Sequence, residues 1–121
     1  MRMIYHTGLT PERWFAMPLV EQMANVGSEV HRTISWRDRN AEQSRNALFR
    51  ALELIDLTVE DPKNVKRLKE ILRVREALVD YFMYDNAYGS TDELWEKYFY
   101  AFGVAANRIR RGGAAQQQGL A

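Results

Sequence analysis

The stretch that decides the fold is YFMYDNAYGSTDELWEKYFYAF, Tyr81 to Phe102. It reads as the end of one helix, a loop and the start of the next. Phe82 closes an apolar stripe that begins at Leu68 and passes through Leu72 and Val79, widened by Ile71 and Leu78. Positions three and four apart lie on one helix face, so this spacing predicts a helix from Pro62 to Tyr84. DNAYG is rich in turn residues. STDE then reads as a capping box, Ser90 reaching forward and Glu93 reaching back. Trp95, Tyr98, Phe102, Ala105 and Ile109 put the next stripe on a helix from Thr91 to Arg111. Tyr84, Tyr88 and Tyr100 fit neither stripe and are candidates for an interface.

Upstream, the same periodicity continues. Leu19, Met23, Val26, Gly27, Val30 and Ile34 mark a helix from Pro18 to Arg39. Gly27 lies within that face. Glycine costs about 1 kcal/mol relative to alanine mid-helix, so close approach of another helix is the expected compensation. Asn40 caps a helix from Ala41 to Thr58 with Ser44, Leu48, Ala51, Leu52 and Ile55 on one face. Asp61 and Pro62 restart the chain. Thr10, Pro11 and Glu12 open a short helical turn. GGAAQQQGLA reads as a mobile tail. No segment alternates with the period of two that a half-buried strand requires.

The expected architecture is therefore all-α: an antiparallel, up-down four-helix bundle over 18–111. A segment with a short helix over 1–17 precedes it and a flexible tail over 112–121 follows. A chain of 121 residues supports one core and one domain. Its 46% hydrophobic and 27% charged residues are those of a globular protein. With a formal net charge of +1, any nucleic-acid contact must come from a local patch. Cysteine is absent, which removes disulfides and thiolate chemistry and suits a reducing compartment. No apolar run is long enough for a signal peptide or a membrane span. Together these readings place the protein in the cytoplasm.

Among the polar residues, Arg75 is out of place between Leu72 and Val79. A buried guanidinium needs a carboxylate, and Glu29, Glu53 and Asp56 flank the neighbouring stripes. Arg75 is then either half of a register-fixing ion pair or an anion-binding group in an inter-helix cleft. Glu76 and Asp80, four apart beside Arg73, read as intrahelical salt bridges. The rival reading is a hydrolase or nuclease site around Arg75, Glu76 and Asp80. A di-metal bundle needs Glu-x-x-His on two helices. Only His6 and His31 exist, His6 outside the bundle and His31 preceded by Ser28, so no metal or cofactor is expected.

Lys63, Lys66 and Arg67 start the third long helix, and Arg108, Arg110 and Arg111 end the fourth. An up-down bundle brings both to one end, as a candidate phosphate-contacting patch. Trp14 and Phe15, with Tyr84, Tyr88 and Tyr100, have no obvious place in one small core and point to an oligomer, a dimer first. The function this favours is a non-catalytic binding protein, associating with itself, another protein or nucleic acid.

The blocks LVEQMANVGSEVHRTISW, RALELIDLT, LKEILRVREALVDYF and DNAYGSTDELWEKYFYAF are similar to a family of small uncharacterised bacterial and archaeal helical proteins. That resemblance implies a compact helical fold. The fold reading also resembles the bundle proteins encoded in ribosomal RNA intervening sequences and the accessory proteins of diversity-generating retroelements. These imply nucleic-acid binding through basic surfaces. HEPN ribonucleases are a third fold-level likeness, and their activity rests on an arginine followed four to six residues later by histidine. RVREALVDYF offers the arginine, but no histidine follows His31, so such cleavage is not expected.

Overall fold

The computed structural model describes His6 and residues 8–119, with side chains through Gly112. Its helices are α1 (Pro11–Phe15), α2 (Leu19–Trp36), α3 (Ala41–Glu60), α4 (Leu68–Met83) and α5 (Asp92–Gly119), and a 3-10 turn over Pro62–Arg67 leads into α4. No strand occurs among the described residues.

Local chemistry sets most of the boundaries. Thr10 accepts the Arg13 amide at 3.2 Å to start α1, and Pro18, in extended backbone, separates α1 from α2. Asn40 caps α3 through the Gln43 amide at 3.1 Å. Asp61 ends α3 and accepts the Lys63 amide at 3.1 Å, so the next helix begins as the tighter turn. The last cap differs from expectation. Asn86, in the left-handed region at φ 54°, exchanges two hydrogen bonds with the Ser90 backbone. Ser90 is thereby part of the loop, and Thr91 caps α5 by accepting the Leu94 amide at 3.1 Å. Helical backbone also runs past Arg111 to Gly119, because the alanines and glutamines after the two glycines favour helix.

Cross-helix contacts fix the topology. Arg37 meets Asp92, His31 meets Glu96 and Gly27 meets Phe99, so α5 runs antiparallel to α2. Arg75 on α4 reaches Asp56 on α3. Tyr81 and Glu70 on α4 reach Asp92 and Tyr98 on α5. The result is an up-down-up-down four-helix bundle with α1 docked against α3. Gly27 has the role its position suggests: a Cβ there would lie 2.6 Å from the Phe99 Cβ.

Two helices are rotated from the faces read in the sequence. On α4 the buried residues are Ile71, Val74 and Leu78, while Leu72 is 45% exposed. Centring the stripe on Leu72 would drive Arg75 inward, and a guanidinium is too costly to bury when an adjacent apolar face is available. On α5, Trp95, Phe99 and Ala106 face inward, Tyr98 and Phe102 are half-buried, and Ile109 is exposed. Turning Tyr98 to the rim lets its hydroxyl donate to Glu70 at 3.1 Å. Trp14 is a core residue, 2% exposed, which corrects its assignment to an interface.

Candidate functional site

Trp14 is held by a buried polar network that sequence periodicity could not reveal. Its indole N–H donates to the Thr58 hydroxyl at 3.0 Å, and that hydroxyl donates to the Leu54 carbonyl. Gln22 donates to the Trp14 carbonyl at 3.0 Å and to Asp61 at 2.8 Å. Asn64 donates to Gln22 and to the Thr58 carbonyl. Lys63, placed among the phosphate contacts, instead bonds Asp61 and the Phe15 carbonyl. Burial alone would raise the Asp61 carboxyl, but hydrogen bonds from Lys63 and Gln22 outweigh it and hold the group below its ordinary value. These groups satisfy one another, so the network fastens α1, α2, α3 and the 3-10 turn together.

The four residues read as one buried ion pair belong to three arrangements. Arg75 donates to Asp56 at 2.8 Å, with both side chains about one-third exposed, so this pair sits at the bundle boundary. Glu29 is buried and takes two other arginines, Arg32 at 2.8 Å and Arg50 at 3.0 Å. Glu53 accepts both the backbone N–H of His6 and a 3.0 Å contact with its ring, so His6 docks on the bundle rather than lying outside it. The rival trio of Arg75, Glu76 and Asp80 does not converge. Arg75 turns to α3, whereas Asp80 accepts the Ala87 and Tyr88 amides at 2.9 and 3.1 Å and holds the loop. Glu76 lies near the Tyr88 phenol, and its negative charge raises that group above its ordinary value. Among the described residues, short-range salt bridges join Arg32 to Glu29 within α2 and Arg67, at the end of the 3-10 turn, to Glu70 in α4.

A second clamp joins the other pole. Arg37 grips Asp92 with two hydrogen bonds, 3.0 and 2.6 Å, and the Tyr81 hydroxyl donates to the same carboxylate at 2.5 Å. The arginine holds Asp92 below the ordinary carboxylate range despite partial burial, while burial and the carboxylate push Tyr81 up. The sequence reading put Arg37 inside a helix ending at Arg39 and Asp92 in the first turn of the last helix, and their pairing requires the fold.

A cleft of about 580 Å³ lies between α2 and α5. Gly27, Ala24 and Gly103 make it a trough over Phe99, walled by His31, Arg32, Lys97 and Tyr100. His31 is exposed and bonds Glu96 at 2.9 Å. From Lys97 onward the chain contains Lys97, Arg108, Arg110 and Arg111 and no carboxylate. Arg108 and Arg111 lie about three and four helical turns beyond Lys97 and share with it the α5 face opposite the buried one. Residues 107–112 are exposed around the whole helix, because α2 begins at Leu19, opposite the level of Ala106, and α5 overhangs it. The end patch read from the sequence is therefore divided. Lys63 and Arg67 are committed to Asp61 and Glu70, Lys66 is exposed, and the arginines stand on the overhang.

Of the interface candidates, Tyr84, Tyr88 and Tyr100 are exposed and Phe15 is half-buried against the core. Among the described residues no group of three or more His, Asp or Glu could hold a metal ion, and no helix is long and apolar enough to cross a membrane. No family model, curated protein or solved structure matches this chain.

Proposed function

We propose that this is a non-catalytic binding protein of the cytoplasm that contacts single-stranded nucleic acid through α5 and works as a homodimer. The observation that carries the reading is the acid-free cationic face from Lys97 to Arg111, with Tyr100 exposed beside it. Over those residues the helix rises about 21 Å, which spans several phosphates. An exposed ring among cations is the arrangement that stacks an unpaired base while the backbone is neutralised. The carboxylates that an enzyme would need are engaged in loop and helix contacts, which favours binding over hydrolysis.

The test is fluorescence anisotropy of a labelled single-stranded oligonucleotide. Three neutralised phosphates, one for each cation on that face, at a slope of about −0.7 each give an affinity loss of roughly 20-fold between 50 and 200 mM salt. Arg108→Glu with Arg111→Glu should abolish binding, and Tyr100→Ala should weaken it about tenfold while leaving the salt slope intact. Affinity indifferent to salt, or unchanged in the arginine double variant, would refute the assignment.

A further inference from the structure

We infer that the outward face of α4 is a self-complementary docking surface for a second copy of this chain, the two α4 helices lying antiparallel across a two-fold axis. The inference rests on the homodimer reading above and assigns it a surface. Five of the eight large apolar side chains exposed among the described residues belong to α4 and its flanks: Val65, Leu72, Met83, Tyr84 and Tyr88. Leu72 and Met83 lie about three turns apart on one face, and Lys69 and Glu76 share it at three residues before and four after Leu72. This is the apolar row left outside when α4 turned Ile71, Val74 and Leu78 into the core.

Charge specifies the occupant. From Lys63 to Arg75 there are one carboxylate and six cations, of which Lys63, Arg67 and Arg75 pair within the chain and Lys66, Lys69 and Arg73 remain, whereas from Glu76 to Asp85 there are three carboxylates and neither lysine nor arginine. A parallel pair would set like charges side by side along the whole helix. An antiparallel pair sets the basic half of each copy against the acidic half of the other, as an isologous two-fold contact requires. With the axis near Leu72 and Arg73, Lys69 faces Glu76 of the second copy and each Leu72 lies near its equivalent. Arg73, on the flank, is within reach of Glu76 of the second copy. A different protein partner would have no reason to match a helix that carries both halves of its own complement.

Charge reversal tests both surface and orientation. Lys69→Glu places carboxylate against carboxylate in its own homodimer, and Glu76→Lys places lysine against lysine. A mixture of the two variants restores opposite charges at both contacts. Sedimentation velocity over 1–100 µM should therefore give a wild-type dimer, each single variant shifted at least tenfold toward monomer, and a dimer again in the equimolar mixture. Circular dichroism confirms that each variant folds, and the mixture guards against loss of dimer through misfolding. A wild-type monomer across that range overturns the homodimer and this surface together. A dimer that survives both single variants overturns the α4 surface and leaves the homodimer standing. Variants that stay monomeric when mixed overturn the antiparallel arrangement.

Discussion

A single methyl group at Gly27 measures how closely α2 and α5 approach. The added Cβ would lie 2.6 Å from the Phe99 Cβ, 2.9 Å from its Cγ and 3.0 Å from its Cδ1. Ordinary carbon contacts are about 3.5–4.0 Å, so the first of these is roughly 1 Å too short. The obstructing atom is a Cβ, which is fixed to the α5 backbone, and no rotamer of Phe99 removes it. Relief requires α5 to move away from α2, loosening Trp95, Phe99 and Ala106 in the core. Overpacking costs about 1–3 kcal/mol, and the rigidity of the contact puts Gly27→Ala near the upper end. Alanine returns about 1 kcal/mol of helix propensity, leaving a net loss of about 2 kcal/mol. Gly103→Ala is the control on the partner helix. Its Cβ would meet nothing within 4 Å, so only the propensity gain of up to about 1 kcal/mol remains. Urea denaturation followed by circular dichroism should lower the midpoint of Gly27→Ala by about 1 M and raise that of Gly103→Ala. Midpoint shifts of the same sign, or a Gly27→Ala variant as stable as the wild type, would refute the helix contact.

Four further outcomes follow from the polar contacts. Glu29→Gln should cost about 2 kcal/mol in thermal unfolding, below the full range for breaking a buried pair because Arg32 and Arg50 both reach water. Trp14→Phe removes the donor to Thr58 but keeps a ring in the core, so chemical denaturation should show a loss of about 1–2 kcal/mol, against about 3–5 for Trp14→Ala. Asp61 and Asp92 have depressed pKa values when folded, so their contribution is present above the unfolded carboxylate pKa and is lost as pH falls through the folded values; Asp92→Asn should flatten the acid limb of a stability–pH profile. Burial and Glu70 raise the Tyr98 phenol, so its contribution is present below about pH 10 and is lost as pH rises toward the folded value; Tyr98→Phe should flatten the alkaline limb.

The helices themselves were legible because the signals are local. Asn40, Thr10 and Asp61 cap where their side chains predict, the α3 face buries the residues that periodicity marks, and the α2 face buries Met23, Val26 and Val30 with Leu19, Gly27 and Ile34 half-buried. Ser90 failed as a cap because Asn86 competes for its backbone, a contact that spacing to the next helix does not encode. Long-range polar pairing was the least legible. Arg50 and Arg32 on Glu29, Tyr81 and Arg37 on Asp92, and Gln22 on Asp61 join residues whose proximity exists only after the helices pack. The proposed binding surface lies between these extremes. The arginines at 108, 110 and 111 were visible as a cluster, but their separation from Lys63 and Arg67 depends on which cations the fold consumes.

α4 shows how one misplaced charge decides a packing that hydrophobicity leaves open. Its apolar residues cover an arc wider than the core can accept, with Leu68, Leu72 and Val79 on one side and Ile71, Val74 and Leu78 on the other. Either row offers comparable burial, worth about 1.5–3 kcal/mol for each side chain fully enclosed. Turning the first row inward would also enclose Arg75, and the cost of an uncompensated guanidinium exceeds the gain from a leucine. The second row keeps that charge at the boundary, where Asp56 meets it at 2.8 Å and water reaches both. Arg75 thus sets the rotation of α4 by being excluded rather than enclosed, and the same rotation leaves Leu72 facing outward between Lys69 and Glu76.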